Sequence, residues 1–243
     1  MKAMILAAGR GTRLRPLTND RPKALVEVSG RTLLEITLTR LKSFGVNDVI
    51  INTHHFAEIV EEYLAAHANF EMNIAISREE ILLDTGGGLK KAGWFFQDSK
   101  KSFFLHNVDV ISNIDLTRMA RHHTERNALA TLAVQSRATS RPLLFDQAGA
   151  LCGRVLKDGE QEMVRPIANP ESLAFAGIHV ISPHIFDLLS EDGVFSIIPT
   201  YLRLAAAGEK ILAWRADHAY WRDMGKPESI EQAEQDMAAG LIS

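Results

Sequence analysis

Arg10, Arg13, Arg15 and Lys23 crowd into one short stretch of a chain whose net charge is −3. They alternate with Gly9 and Gly11 and follow an apolar run, Met4-Ile5-Leu6-Ala7-Ala8. An apolar strand ending in small residues leaves backbone amides open at the carboxyl edge of a sheet, where α/β proteins bind nucleotides. Glycines there permit positive φ and close approach of a ligand. Amide donors joined by guanidinium and ammonium groups suit a triphosphate, whose oxygens accept bidentate pairs. The segment reads as a phosphate-handling loop. It is neither of the two best-known ones. No Walker run ending in Gly-Lys-Ser/Thr occurs, and Leu14 stands where a dinucleotide fingerprint needs its third glycine. The plain alternative is a strand followed by a basic surface turn; Pro16 and the Pro22-Lys23 pair at fixed offsets weigh against it.

The elements that must carry this loop alternate. Strands are expected over 2–7, 48–52, 72–77 and 102–105, and helices over 32–44, 57–67, 89–96 and from Asp115 to about 126. Thr32 and Glu35 have capping-box spacing, Leu34, Leu38 and Leu41 share a face, and Gly45 is the stop. This βαβα order predicts an α/β fold with a Rossmann-like, mostly parallel sheet and helices on both faces. Beyond 127 the pattern changes to turn-separated strands over 128–135, 142–146, 151–157 and 173–181. Helices near 184–189 and 196–207 follow, then a strand over 210–215, and Pro227 opens a last helix. One domain over 1–243 is expected, with a nucleotide-binding half (1–127) and an acceptor-binding half (128–243).

Composition narrows the class. Hydrophobic content of 46% and charged content of 23% are ordinary for a globular protein. The charge balance leaves no footprint for nucleic acid, and no apolar run approaches the ~18 residues of a membrane helix. One cysteine, Cys152, excludes an internal disulfide. With no signal core at the N-terminus, the expected location is cytoplasmic. The histidine pairs His54-His55 and His122-His123 lack zinc-ligand spacing and read as surface or helix-face residues.

From Leu6 to Leu25 the loop resembles the signature of the sugar nucleotidyltransferases, Leu-Ala-Ala/Gly-Gly-x-Gly-Thr-Arg-Leu-x-Pro-Leu-Thr followed by Pro-Lys-x-Leu. The resemblance implies a GT-A-like fold, here without the C-terminal β-helix of bifunctional members. It implies transfer of a nucleotidyl group from a nucleoside triphosphate to a sugar-1-phosphate, with Mg2+ as cofactor. Leu6, Ala7, Ala8, Gly9, Gly11, Thr12, Arg13 and Lys23 would bind the nucleotide. Asp109 and Asp223, in Asn107-Val108-Asp109 and Trp221-Arg222-Asp223-Met224-Gly225, match the magnesium aspartates; Arg13, Lys23 and Asp109 would be catalytic. Bland readings of the two aspartates are a turn residue and a solvated carboxylate. Many relatives have Gly where Val108 stands, so an extended backbone is expected there.

Asp84-Thr85-Gly86-Gly87-Gly88 resembles the family's base- and sugar-contacting loop, with Asp84 in place of a common glycine. Thr85 and Gly86 would contact the nucleotide and Gly87 the sugar. A flexible helix-entry loop is the structural alternative. Glu79 or Glu80 would read the base. Asn107 and Gly177 would contact the sugar, and Arg165 or Lys157 its phosphate. The loop form and triple glycine are most similar to compact N-acetylmuramate-1-phosphate uridylyltransferases, which favours UTP and a cell-wall sugar. Guanylyl and cytidylyl transfer, and a non-catalytic nucleotide-sugar-binding protein, are the alternatives.

Overall fold

The computed structural model describes residues 1–242. The chain forms two compact units interleaved in sequence: Met1–Leu82 with Leu105–Ile114 and Ala219–Ser243, and Leu83–Phe104 with Asp115–His218. The chain therefore crosses between units at four places, none near residue 127.

In the first unit, strands Lys2–Leu6, Asp48–Thr53 and Asn73–Arg78 run parallel, with Leu6 opposite Asn52 and Thr53 opposite Arg78. Their carboxyl ends thus bring residues 6–7, 52–54 and 78–79 to one edge. The helix Leu33–Ser43 begins as expected: Thr32 Oγ1 accepts from the Glu35 amide at 3.0 Å. Only that half of the capping box forms, because the Glu35 carboxylate is engaged by Arg31 Nε (3.0 Å) and Tyr63 Oη (3.3 Å). Leu34, Leu38 and Leu41 are buried. Gly45 ends the helix at φ +75°. Two short pairings complete this unit: Glu27–Val28 with Arg31–Thr32, and Val110–Ser112 with Trp221–Asp223, both antiparallel.

The second unit carries the turn-separated strands. Ala130–Gln135 lies between Glu171–Ile181, antiparallel, and Ile211–Arg215, parallel. Glu171–Ile181 continues antiparallel to Leu143–Phe145, then Leu151–Val155 and Gln161–Met163. The fold is accordingly α/β with a sheet of mixed direction, parallel where the helices alternate and antiparallel where the turns do. Phe96 and Phe103 stack in the core with ring centroids 3.9 Å apart, and the half-buried Phe186 stacks 5.8 Å from Phe103.

Several local expectations need correction. The three glycines do not form a loop before a helix; they lie inside the helix Asp84–Lys91, and residues 92–96 are a 3-10 turn. Cys152 lies within the expected strand, observed as Leu151–Val155, buried and 3.2 Å from the Leu144 carbonyl, where burial pushes its thiol pKa up. His123 lies on a helix face, as one of its two readings allowed, but that face is buried, and His106 and His179 are buried in strands. His123 pairs with Thr131 Oγ1 and His179 with Tyr201 Oη, each at 3.0 Å. Burial pushes the imidazoles of His106 and His123 down to about 4, so both are neutral at physiological pH.

Candidate active site

The basic loop leaves its strand and folds back on itself. Gly11 takes φ +61°, and its carbonyl accepts from the Leu14 amide (2.8 Å) and Thr18 Oγ1 (2.9 Å). A Cβ on Gly11 would lie 3.0 Å from Thr18 Cγ2 and 3.1 Å from Lys23 Cβ, so both the dihedral and the space favour glycine. Leu14, fully buried, anchors the turn Thr12–Leu14. Lys23 begins the next turn, Lys23–Leu25, and is only 8% exposed. Its ammonium group donates to the Asp109 carboxylate.

Asp109 reaches this point through a tight turn after the strand Phe103–Asn107. Residues 108–109 form the turn itself rather than extended chain. Val108 is not among the positive-φ residues, and its amide donates to the Leu6 carbonyl at 3.1 Å. Asp223 arrives from the far end of the sequence. The ribbon of Val110–Ser112 and Trp221–Asp223 puts Asp223 opposite Val110, and the Met224 amide donates to the Asp109 carbonyl at 2.7 Å. Asp223 Oδ1 accepts from the Gly225 amide at 2.8 Å. A Cβ on Gly225 would come within 2.6 Å of Arg13 Nη2 and closer still to Asp223 Oδ1. Arg13, Lys23, Asp109 and Asp223 therefore meet on one unit.

Electrostatics agree with a cation-seeking pair of carboxylates. Burial, then the Asp109 charge, raise the Asp223 pKa above its usual value; Lys23, the Gly225 amide and Arg13 oppose the rise. Two hard carboxylates close together, with one ammonium already seated on Asp109, fit a divalent ion that takes few protein ligands and keeps its waters. Among the described residues, no cluster of three or more His, Cys, Asp or Glu side chains could hold a metal. Any divalent ion bound here would have Asp109 and Asp223 as its protein ligands.

The four loop cations separate. Arg13 and Lys23 join the aspartates, whereas Arg10 and Arg15 line a cavity of about 480 Å3 with Thr18, Asn19, His54 and His55.

At the sheet edge the expected open amides are partly spent. Ala7 N–H donates to Asn52 Oδ1 at 2.7 Å, and Asn52 Nδ2 donates to Glu79 Oε1 at 2.7 Å. Glu79 is 4% exposed, its amide donates to the Thr53 carbonyl at 2.7 Å, and its own carbonyl lies 2.9 Å from His54 Nδ1. The Ala7 amide, expected to be open, is therefore engaged within the sheet edge, and the Glu79 side chain, named with Glu80 as a base reader, is buried beside it. Asn52 was missed: an Asn ending an apolar strand carries no sequence signal of a partner on each adjoining strand. Leu6 is half-buried, Ala8 buried, and Gly9 and Thr12 exposed; a Cβ on Gly9 would meet nothing. Asn107, half-buried, closes its strand, and its carbonyl pairs with His106 Nδ1 at 2.8 Å.

The remaining predicted residues lie in the second unit. Gly86 and Gly87 both donate their amides to the Phe195 carbonyl, at 2.9 and 3.1 Å. A Cβ on Gly86 would strike the Phe195 ring, and one on Gly87 the Gly193 carbonyl. Close packing of a helix on residues 193–195 thus accounts for these glycines, correcting the open-loop reading of their amides. Thr85 Oγ1 accepts from the Ile197 amide at 3.0 Å. Asp84 adopts φ +60°, the left-handed conformation that suits a glycine. Gly177 sits at φ +74° where the pairing of Glu171–Ile181 with Ala130–Gln135 shifts register, a local bulge. Arg165 is 3.8 Å from the Asp146 carboxylate, and Lys157 is exposed.

Comparison with known proteins supplies the class. The Nucleotidyl transferase family profile matches residues 2–240. The chain is 34% identical to N-acetylmuramate alpha-1-phosphate uridylyltransferase of Caulobacter vibrioides over 97% of its length and 96% of the relative's. It is 29% identical to mannose-1-phosphate guanylyltransferase of Mycobacterium tuberculosis, over 98% of this chain and 65% of that one. Its fold matches HddC from Yersinia pseudotuberculosis complexed with GMP-PN with a TM-score of 0.78 at 21% identity, covering 97% and 99% of the two chains. The chain belongs to the Nucleotidyl transferase family, as the loop resemblance implied, and is a sugar-1-phosphate nucleotidyltransferase. Among the described residues no helix is long and apolar enough to cross a membrane.

Proposed function

We propose that this enzyme joins UTP and an amino-sugar or hexose 1-phosphate to give a UDP-sugar and pyrophosphate, with Mg2+ on Asp109 and Asp223. The convergence of Arg13, Lys23, Asp109 and Asp223 carries the reading. The UTP preference is supported by the full-length likeness to a compact uridylyltransferase. A guanylyltransferase is the second reading, favoured by the guanylyl relative and by the fold match to a GMP-PN complex.

The acceptor needs little activation. A phosphate monoester has a second pKa of about 6, so it is mostly dianionic at neutral pH and requires no protein base. Its oxygen attacks the α-phosphorus, the bond to the β-phosphate oxygen breaks, and pyrophosphate leaves. Bound Mg2+ supplies charge neutralisation for the phosphates. Lys23 and Arg13 face the departing pyrophosphate and stabilise the charge that collects on it, while Gly11 lets the loop close over Lys23. Alignment and fixed charge are the catalytic means.

Pyrophosphate release measured over UTP, dTTP, GTP, CTP and ATP against several sugar-1-phosphates and phosphocholine, with Mg2+ and with EDTA, tests the proposal. A metal-dependent UTP pair is expected. A GTP pair would replace the base assignment. Silence from folded, nucleotide-binding protein would favour a regulatory role.

A further inference from the structure

The ribbon that presents Asp223 has only three residues on each strand, Val110–Ser112 and Trp221–Asp223. A two-stranded ribbon this short does not hold its geometry unaided. One end is tied by Asn113 and Tyr220, whose main chains and the Asn113 side chain exchange hydrogen bonds at 3.2 and 2.8 Å. The other tie comes from the helix Pro227–Ala238. Asp236, 7% exposed, accepts on Oδ2 from Tyr220 Oη (2.7 Å), Arg222 Nη2 (2.8 Å) and Arg222 Nε (3.1 Å), and on Oδ1 from Gln232 Nε2 (3.0 Å). The Arg222 guanidinium also sits 5.9 Å from the centre of the Tyr220 ring.

Strand alternation gives this cluster its meaning. Tyr220 and Arg222 point to one face, and Asp223 to the other. Asp236 therefore grips the strand from behind without entering the site. We propose that Asp236 is a positioning residue: through Arg222 and Tyr220 it fixes the strand so that the Asp223 carboxylate stays opposed to Asp109, and so sets the site's affinity for a divalent cation. This rests on Asp109 and Asp223 being the metal pair. A carboxylate free to drift from its partner must be ordered when the ion arrives, and that ordering entropy weakens binding.

Asp236→Asn removes the charge that Arg222 answers, whereas Tyr220→Phe removes the phenol's bonds to Asp236 and Arg222 but leaves the Arg222–Asp236 pair, a milder change that keeps the test open if the first variant misfolds. Binding of Mn2+ alone, followed by the loss of its free electron-paramagnetic signal, is the direct readout. The expected result is a five- to tenfold rise in the Mn2+ Kd for Asp236→Asn and about twofold for Tyr220→Phe, with circular dichroism unchanged. The Mg2+ concentration for half-maximal turnover should rise in parallel, while kcat at saturating metal stays within twofold. An unchanged Mn2+ Kd in either folded variant, or a kcat loss that metal does not restore, would overturn the proposal. Asp223→Asn is the control: if it binds Mn2+ as tightly as wild type, the metal assignment itself has failed, whatever Asp236 does.

Discussion

Asp223 shows how a single side chain can be costly in isolation and useful with ligand. Burial and the neighbouring Asp109 raise its pKa above 3.8 in the folded chain. The native state therefore binds more protons than the unfolded state between 3.8 and the raised value, and the charged carboxylate costs stability above that window. Asp223→Asn keeps an oxygen for the Gly225 amide but removes the charge. In metal-free buffer at pH 7 its urea midpoint should exceed that of wild type, and the gap should close as pH falls toward 3.8. A variant less stable than wild type at pH 7 would contradict the sign. Its turnover should fall on the order of a hundredfold, roughly 3 kcal/mol of barrier, as expected when one group that organises transition-state charge is lost.

At the scale of elements, the helix Asp84–Lys91 tests packing against ligand contact. Three consecutive glycines disfavour a helix by roughly 1 kcal/mol each. The helix forms nonetheless, because their lack of side chains lets its first turn lie on the Phe195 carbonyl and ring. Gly86→Ala would place a methyl group into that ring, and overpacking of this kind costs about 1–3 kcal/mol. A urea melt should show the loss, with the UTP Kd of the folded variant within about threefold of wild type. Unchanged stability with a tenfold weaker UTP Kd would restore a ligand role to the glycine.

For the molecule as a whole, each unit has its own sheet arrangement, and the cationic and carboxylate groups that meet at Lys23 all belong to the first. A ligand that binds only the native state raises its stability by about 2.7 kcal/mol at a hundred times its Kd. UTP with Mg2+ should therefore raise the thermal midpoint of wild type by several degrees, and removal of Mg2+ with EDTA should cancel most of the rise. A GTP-specific rise would instead favour the guanylyl reading.

Much of the frame was legible in local sequence. Thr32 before a Leu-rich face, Gly45 after it and Asp115 before Leu116 are short-range signals, because capping and periodicity act over a few residues. The loop from Leu6 to Leu25 was legible for the same reason, since its turns close within itself. What the sequence by itself determined is therefore the order of the longer elements and the basic, glycine-containing loop, to which the family resemblance added the pair of aspartates. Tertiary structure alone decided how those groups are spent: that Lys23, not Arg10 or Arg15, meets Asp109; that the Ala7 amide goes to Asn52; and that Gly86 and Gly87 serve Phe195. These partners are far apart in the chain. Hydrogen bonding and packing at such separations depend on strand register and helix placement, which no local run of residues encodes.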